Sequence, residues 1–417
     1  MSRSLRSDFL ETFGVELFVL AAGLYLFRAA SLELGLVGFA EFVLARRVIS
    51  LLQPVVVFGT DIALVRYVAL ALGDRREAGR HLTTAAVTMA VAVAVVLAVL
   101  LGLPRLSAGL LLGSESSVGL VGPLSLVVVG AALLPLCYSY LRGLGLFRLA
   151  NLLQALTLGV TPVLAIHLSS GSPARALAGI GVGWVVLPAV LLTAVKPRPV
   201  IPGRGRLSAP LFQYAWKRFP GDLLLVGLLS IPPLVAANLA GQQEAAILAV
   251  GVSLVTLIGS MFAPVGQVIL PAAARWTGEG RTEEVRRYAL RLLAGSALVS
   301  SVGIVGVYVM SEWILTGYLA LDLPDPARAA LLLHTSVLAG FPYGVYMGVR
   351  RVLDAVHEAP VNAVNLGWSF AALAALLGGA VISGSGVVGV AWAFVGGSAI
   401  LGLLTVRSLL RSVRDRT

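Results

Sequence analysis

The chain has 417 residues, 58% of them hydrophobic and 12% charged, with a mean hydropathy of +0.94. That composition excludes a water-soluble globular domain and suits about a dozen membrane helices joined by short loops. The formal charge of +11 comes almost wholly from arginine, since Lys196 and Lys217 are the only lysines. The basic residues cluster in loops between apolar runs, so they suit anionic lipid headgroups and correct insertion rather than nucleic acid. The single Cys137 rules out an internal disulfide and a cysteine-held metal cluster.

The opening MSRSLRSDFLETFG has no cleavage site, so its first apolar run reads as a retained span. Twelve spans are predicted, near 9–30, 37–60, 82–103, 118–140, 151–169, 175–195, 214–237, 245–270, 288–310, 328–349, 361–382 and 386–406. The first carries Glu11 and Glu16, and Arg28 near its far end.

The second span is the most informative. It holds Arg46 and Arg47 side by side and breaks at Pro54 and Gly59. If the chain enters the bilayer near Leu36, the pair lies roughly 15 Å deep, close to the middle of the hydrocarbon. Charge at that depth costs several kcal/mol unless it faces a partner or water. Two adjacent guanidinium groups form a fixed positive site suited to phosphate. The pair can equally be structural, neutralised by Glu41 or by Glu16 on the preceding span. Both readings stand at this point.

Arginine and lysine placement sets the orientation. With the N-terminus cytoplasmic, that side receives Arg3, Arg6, the Arg75/Arg76/Arg80 loop, Arg142, Arg148 and the Lys196-to-Arg206 stretch. Arg275 to Arg291, Arg350/Arg351 and the tail from Arg407 follow on the same side, whereas Arg105, Arg175 and Arg328 fall opposite. A multi-pass protein of the cytoplasmic (inner) membrane with both termini inside is expected.

The linker KPRPVIPGRGRLSAP falls near the middle, and the loops on its two sides resemble each other. ALALGDRREAGRHL after the second span is matched by AARWTGEGRTEEVRRYAL after the eighth. YLRGLGLFRLANLLQ after the fourth is matched by MGVRRVLDAVHEAPVNAVN after the tenth. Six spans per half give both halves one orientation, hence a parallel repeat. The predicted architecture is an all-α polytopic membrane protein: an N-terminal lobe (1–195), a cytoplasmic linker (196–213) and a C-terminal lobe (214–417) around a central cavity.

Lys217 and Arg218 open the seventh span, followed by Pro220, Gly221 and Asp222. A helix restarted after Pro220 would offer an anion-attracting N-terminus; alternatively the two cations snorkel to the interface. Asp222 with the Asn362 and Asn365 amides of the eleventh span suits Na⁺, or Asp222 carries a proton; the alternative is an ion pair with Lys217 or Arg218. Glu16 and Glu41 are proton or ion candidates unless they pair with arginine. His167 and His334 lack ligand spacing and read as interfacial. Asn151, Gln154 and Gln267 suit sugar hydroxyls or helix bridging, and Trp368 and Trp392 suit sugar stacking or packing.

Three stretches, FGTDIALVRYVALALGDRREAGR, LRGLGLFRLANLLQ and FAPVGQVILPAAARWTGEGR, together with AWKRFPGDL, resemble the oligosaccharide (polysaccharide biosynthesis) flippases of the multidrug/oligosaccharidyl-lipid/polysaccharide exporter superfamily. The resemblance runs in order along essentially the whole chain. It implies transport of a lipid-linked sugar for surface polysaccharide synthesis, with the polyprenyl tail left in lipid and the pyrophosphate and glycan crossing a cationic cavity. It also implies work alongside glycan-assembly enzymes. The early first span lacks a cation, so cargo capture rests on Arg46, Arg47, Lys217 and Arg218. No cofactor is expected; Na⁺, H⁺ or the membrane potential would reset the cycle. The alternative is a cation-coupled drug or small-solute antiporter. A membrane enzyme is disfavoured, because the outer loops are short and carry no paired acidic motif or nucleotide-binding loop.

Overall fold

A computed structural model describes residues 5–71, 73–197, 207–262, 273, 275–276, 279, 281–356 and 360–414. No strand occurs among them. Among the described residues eleven helices are long and apolar enough to cross a membrane, and the first, Leu10–Val57, covers the first two predicted spans. Each remaining span has its own helix, so the all-α polytopic reading holds. Packing yields two compact units: Met1–Leu223 with Leu319–Leu321, and Leu224–Tyr318 with Asp322–Thr417. The first unit thus runs past the predicted linker into the following helix. Gln267 and most of the linker lie outside the described residues.

In the first unit, α1 (Leu5–Val57) is interrupted at Gly35, whose φ of 66° and ψ of −179° only glycine adopts readily. The chain doubles back there. Were α1 straight, Phe27 and Arg46 would stand roughly 28 Å apart by helix rise; the Arg46 guanidinium lies 4.9 Å from the Phe27 ring centre. The hairpin's return arm ends at Phe58 and Gly59, two successive residues of positive φ. A Cβ on Gly59 would stand 2.6 Å from the Ala215 carbonyl oxygen. The Phe58 ring stacks 4.6 Å from that of Phe219.

Next come α2 (Thr60–Leu70) and α3 (Arg75–Gly102), the latter capped by Asp74, whose carboxylate accepts from the Arg76 and Glu77 amides. A short helix, α4 (Pro104–Leu112), and a 3₁₀ turn (Glu115–Leu120) lead into α5 (Val121–Gly143). The fifth span is composite: α6 (Phe147–Gln154), a π-helical turn (Ala155–Val160) and α7 (Thr161–His167). In that turn the Thr161 N–H bonds Leu156 O, five residues back. The next carbonyl, Thr157 O, would be served by residue 162, which is proline and has no N–H. The indole of Trp184, on α8 (Pro173–Val195), donates to it instead at 2.7 Å.

α9 (Ala209–Ala240) is continuous through Pro220. The predicted helix restart after that proline is therefore absent, and the helix N-terminus lies at Ala209. A single missing N–H is tolerated within a long membrane helix, where it need not break the ladder.

The second unit contains α10 (Gln242–Ser260), α11 (Thr282–Glu312) with a π-helical turn (Trp313–Tyr318), α12 (Pro326–Val337), α13 (Gly340–Val356), α14 (Val361–Ile382) and α15 (Gly386–Arg414). Small residues bring α11 and α13 together. Gly344 faces Ser300 and Gly348 faces Ser296, both pairs spaced by four along their helices. In lipid, where apolar contact between helices gains little over contact with acyl chains, such close approach supplies the association energy.

Candidate functional site

The hairpin places Arg46 and Arg47 on its return arm among the buried side chains of Leu44, Ala45 and Val48. The Arg46 guanidinium rests on Phe27, a cation–π contact across the two arms. Its Nη1 is buried and has no hydrogen-bond partner. A buried charged donor left unmet is costly and calls for an explanation.

Neither proposed neutraliser reaches the pair. Glu41 accepts from the Ser117 hydroxyl at 2.8 Å, near the hairpin turn. Glu16 accepts from Gln154 Nε2 at 3.1 Å. The reason is direction: the outgoing arm packs along α6 and α7 in parallel register, so its polar residues meet theirs instead of the return arm. Glu11 lies 3.6 Å from Arg148, Thr12 bonds Asn151, and Tyr25 and Glu33 both reach His167 at 3.1 Å. Structural pairing of Arg46 with Glu41 or Glu16 is thereby overturned.

The α1–α6 seam was only partly visible in the sequence. Thr12 and Glu16 lie four apart on one helix, Asn151 and Gln154 three apart on the other, so each pair shares a face. What the sequence could not supply is that those faces meet. Asn151 and Gln154 are buried, and Gln154 Oε1 has no partner. Glu16 is exposed at the seam's edge. Nearby, Arg142 donates to the Tyr138 hydroxyl at 2.9 Å. The seam therefore carries an accessible carboxylate hydrogen-bonded to Gln154 Nε2 and, on the same amide, an oxygen with no partner.

The remaining candidates fall partly in each unit. Lys217 is exposed and Arg218 half-buried, its Nε 3.2 Å from Asp222 Oδ2 one turn on, as the ion-pair alternative anticipated. Asn362 donates to Arg350 O at 2.8 Å and to Asp354 Oδ1 at 2.6 Å, joining α13 to α14. Asn365 donates to Ser408 Oγ at 3.2 Å, joining α14 to α15. Both NH2 groups are thus committed within the second unit, whereas Asn362 Oδ1 is buried with no hydrogen-bond partner. Trp368 and Trp392 are exposed. His334 stacks on Tyr308 at 3.7 Å and bonds Ser311. Among the described residues no cluster of His, Cys, Asp or Glu suits a metal ion.

No protein-family description and no curated protein matches the sequence. Solved structures do. The chain is similar to an inward-facing multidrug resistance MATE family transporter of the MOP superfamily, with a TM-score of 0.73 and 13% identity over 100% of this chain and 96% of that one. Against the lipid II flippase MurJ, inward closed, the TM-score is 0.72 and identity 15%, over 97% and 90% of the two chains. A MOP superfamily transporter from Pyrococcus furiosus, whose binding pocket has reverse polarity, gives 0.58 at 12% identity over 99% and 94%. At such identities the likeness establishes the fold. This multi-pass membrane chain has the fold of MOP superfamily transporters.

Proposed function

We propose that the chain is a flippase that moves a lipid-linked oligosaccharide of the polyprenyl-pyrophosphate type across the cytoplasmic membrane by alternating access. The observation that carries this reading is the buried, unpartnered Arg46 Nη1 beside Arg47. A guanidinium held by an aromatic face, with no carboxylate paired to it among the described residues, favours an anion that arrives and leaves. Pyrophosphate supplies that anion, and the polyprenyl tail stays in the lipid. Likeness in fold to a lipid II flippase supports the choice of cargo class. Enzymes assembling the glycan on the cytoplasmic face would supply the cargo. Glu16, beside the unfilled Gln154 oxygen, is the coupling group we assign to H⁺ or Na⁺, with the membrane potential as a further driving force.

An antiporter for drugs or small solutes is the second reading, favoured by likeness to MATE transporters and by the exposed Glu16 carboxylate. A cationic drug would not be drawn to Arg46 and Arg47, so that reading places its cargo elsewhere. The test uses proteoliposomes containing a fluorescent polyprenyl-pyrophosphate oligosaccharide. The Arg46→Ala/Arg47→Ala variant should insert normally and lose flipping, while Arg46→Lys retains part of it. One charge-assisted bond is worth about 1.5–3 kcal/mol, so roughly tenfold to hundredfold in cargo affinity should go with Arg46 alone. Undiminished flipping by the inserted double variant excludes the role.

A further inference from the structure

The short helix α4 is built inside out for a protein in water. With 3.6 residues per turn, Leu103, Leu106 and Leu110 share one face of it and its N-terminal cap. Ala108 and Leu112 occupy the opposite face, and Ser107 lies between the two, next to Leu103. These three, Leu112 included, are buried where the helix packs against the 3₁₀ turn and the hairpin. The other three leucines are turned outward, 54%, 53% and 61% exposed. A soluble fold would put the leucines in its core and the serine outside.

Two further features say what covers that face. The first is continuity. α3 starts at the charged Arg75–Arg80 turn, and about twenty residues from Leu82 take it across the hydrocarbon layer to Gly102, where α4 begins. Its outward row of Val91, Val95 and Val99 is exposed over that span, and Leu101 and Leu103 carry the apolar surface on to Leu106 and Leu110. The α4 leucines therefore extend the lipid-facing band of α3 to the level where the hydrocarbon ends. The second is charge. By the same geometry Arg105 falls beside the buried Leu112 at the edge of the packed face, is exposed, and makes no ion pair among the described residues. A single exposed arginine at the bilayer edge can snorkel its guanidinium to the headgroup region while the leucines stay in hydrocarbon.

We infer that α4 is an interfacial membrane anchor: Leu103, Leu106 and Leu110 sit among phospholipid acyl chains while Arg105 meets a headgroup phosphate. The occupant is lipid. A loop of this kind ties the ends of α3 and α5 to the bilayer surface, so the first unit feels the lipid at that face. The inference does not depend on the identity of any cargo.

The experiment places single cysteines at Leu106, Leu110 and, as an aqueous control, the exposed Ser116, in a Cys137→Ala background. Each is labelled with a nitroxide and reconstituted in vesicles of phosphatidylcholine and phosphatidylglycerol. Power saturation then compares collision with oxygen, which concentrates in lipid, and with a water-soluble nickel chelate. Labels at 106 and 110 should show an oxygen-to-nickel ratio severalfold above that at 116. Adding Arg105→Gln should reduce the response of the 106 label to phosphatidylglycerol content. Nickel access at 106 and 110 equal to that at 116 would put the face in water and overturn the inference. Shielding of both labels from both reagents would also overturn it, by showing that protein, such as a second copy of the chain, covers the face.

Discussion

Replacing Trp184 by phenylalanine isolates one hydrogen bond in the fifth span. Phenylalanine keeps an aromatic ring and the Cβ that meets Gly130, but loses the indole N–H together with part of the ring volume, which the background comparison below separates. Thr157 O then has no donor: the Thr161 N–H is already on Leu156 O, and Pro162 has none to give. A carbonyl left unmet in a dry interior costs about 1–3 kcal/mol. Pro162→Ala supplies an N–H in the position the proline lacks, so it should return much of that loss. The assay is the thermal midpoint of purified protein in nanodiscs at one fixed heating rate, for the wild type, both single variants and the double variant. Trp184→Phe should lower the midpoint clearly in the wild-type background and by less than half as much in the Pro162→Ala background. Equal losses in the two backgrounds would refute the reasoning, since the cycle then shows no coupling between indole and proline. Residual losses common to both backgrounds would report ring packing alone.

Two other expectations follow from the geometry. Gly348→Val should push α13 off Ser296, where a Cβ already stands 2.6 Å from the serine Cβ; about 1–3 kcal/mol of overpacking should lower the folded yield by size-exclusion chromatography. Gly367→Val, with no atom within 4 Å of its added Cβ, should leave the yield unchanged, and equal losses would contradict the packing account. Glu16→Gln keeps the shape that meets Gln154 but removes the titratable group, so flipping in proteoliposomes should lose its dependence on an imposed pH or Na⁺ gradient. A gradient dependence identical to wild type would remove Glu16 from the coupling step.

Membrane character was legible from the chain alone because transfer into lipid is a property of each segment by itself. Twenty apolar residues cross a bilayer whatever lies beside them, so a described helix lies in each of the twelve spans, with the Val361–Ile382 boundaries matched residue for residue and the end of the 245–270 span outside the described residues. The arginine pair at mid-depth stood out for the same reason, since solvation cost depends on depth before it depends on neighbours.

The tertiary structure alone decided who pairs with whom. Depth made Glu16 a plausible partner for Arg46, but depth is one coordinate, and helix packing spent Glu16 on Gln154, 138 residues away. Pro220 looked like a helix break because its missing N–H is a local fact; whether the helix continues depends on the lengths of helix that flank it. The left-handed Phe58 and the indole that serves Thr157 O likewise depend on surfaces supplied by distant segments. Segment hydropathy is fixed by composition, whereas the fate of each buried charge is a pairwise matter that only the packed chain resolves.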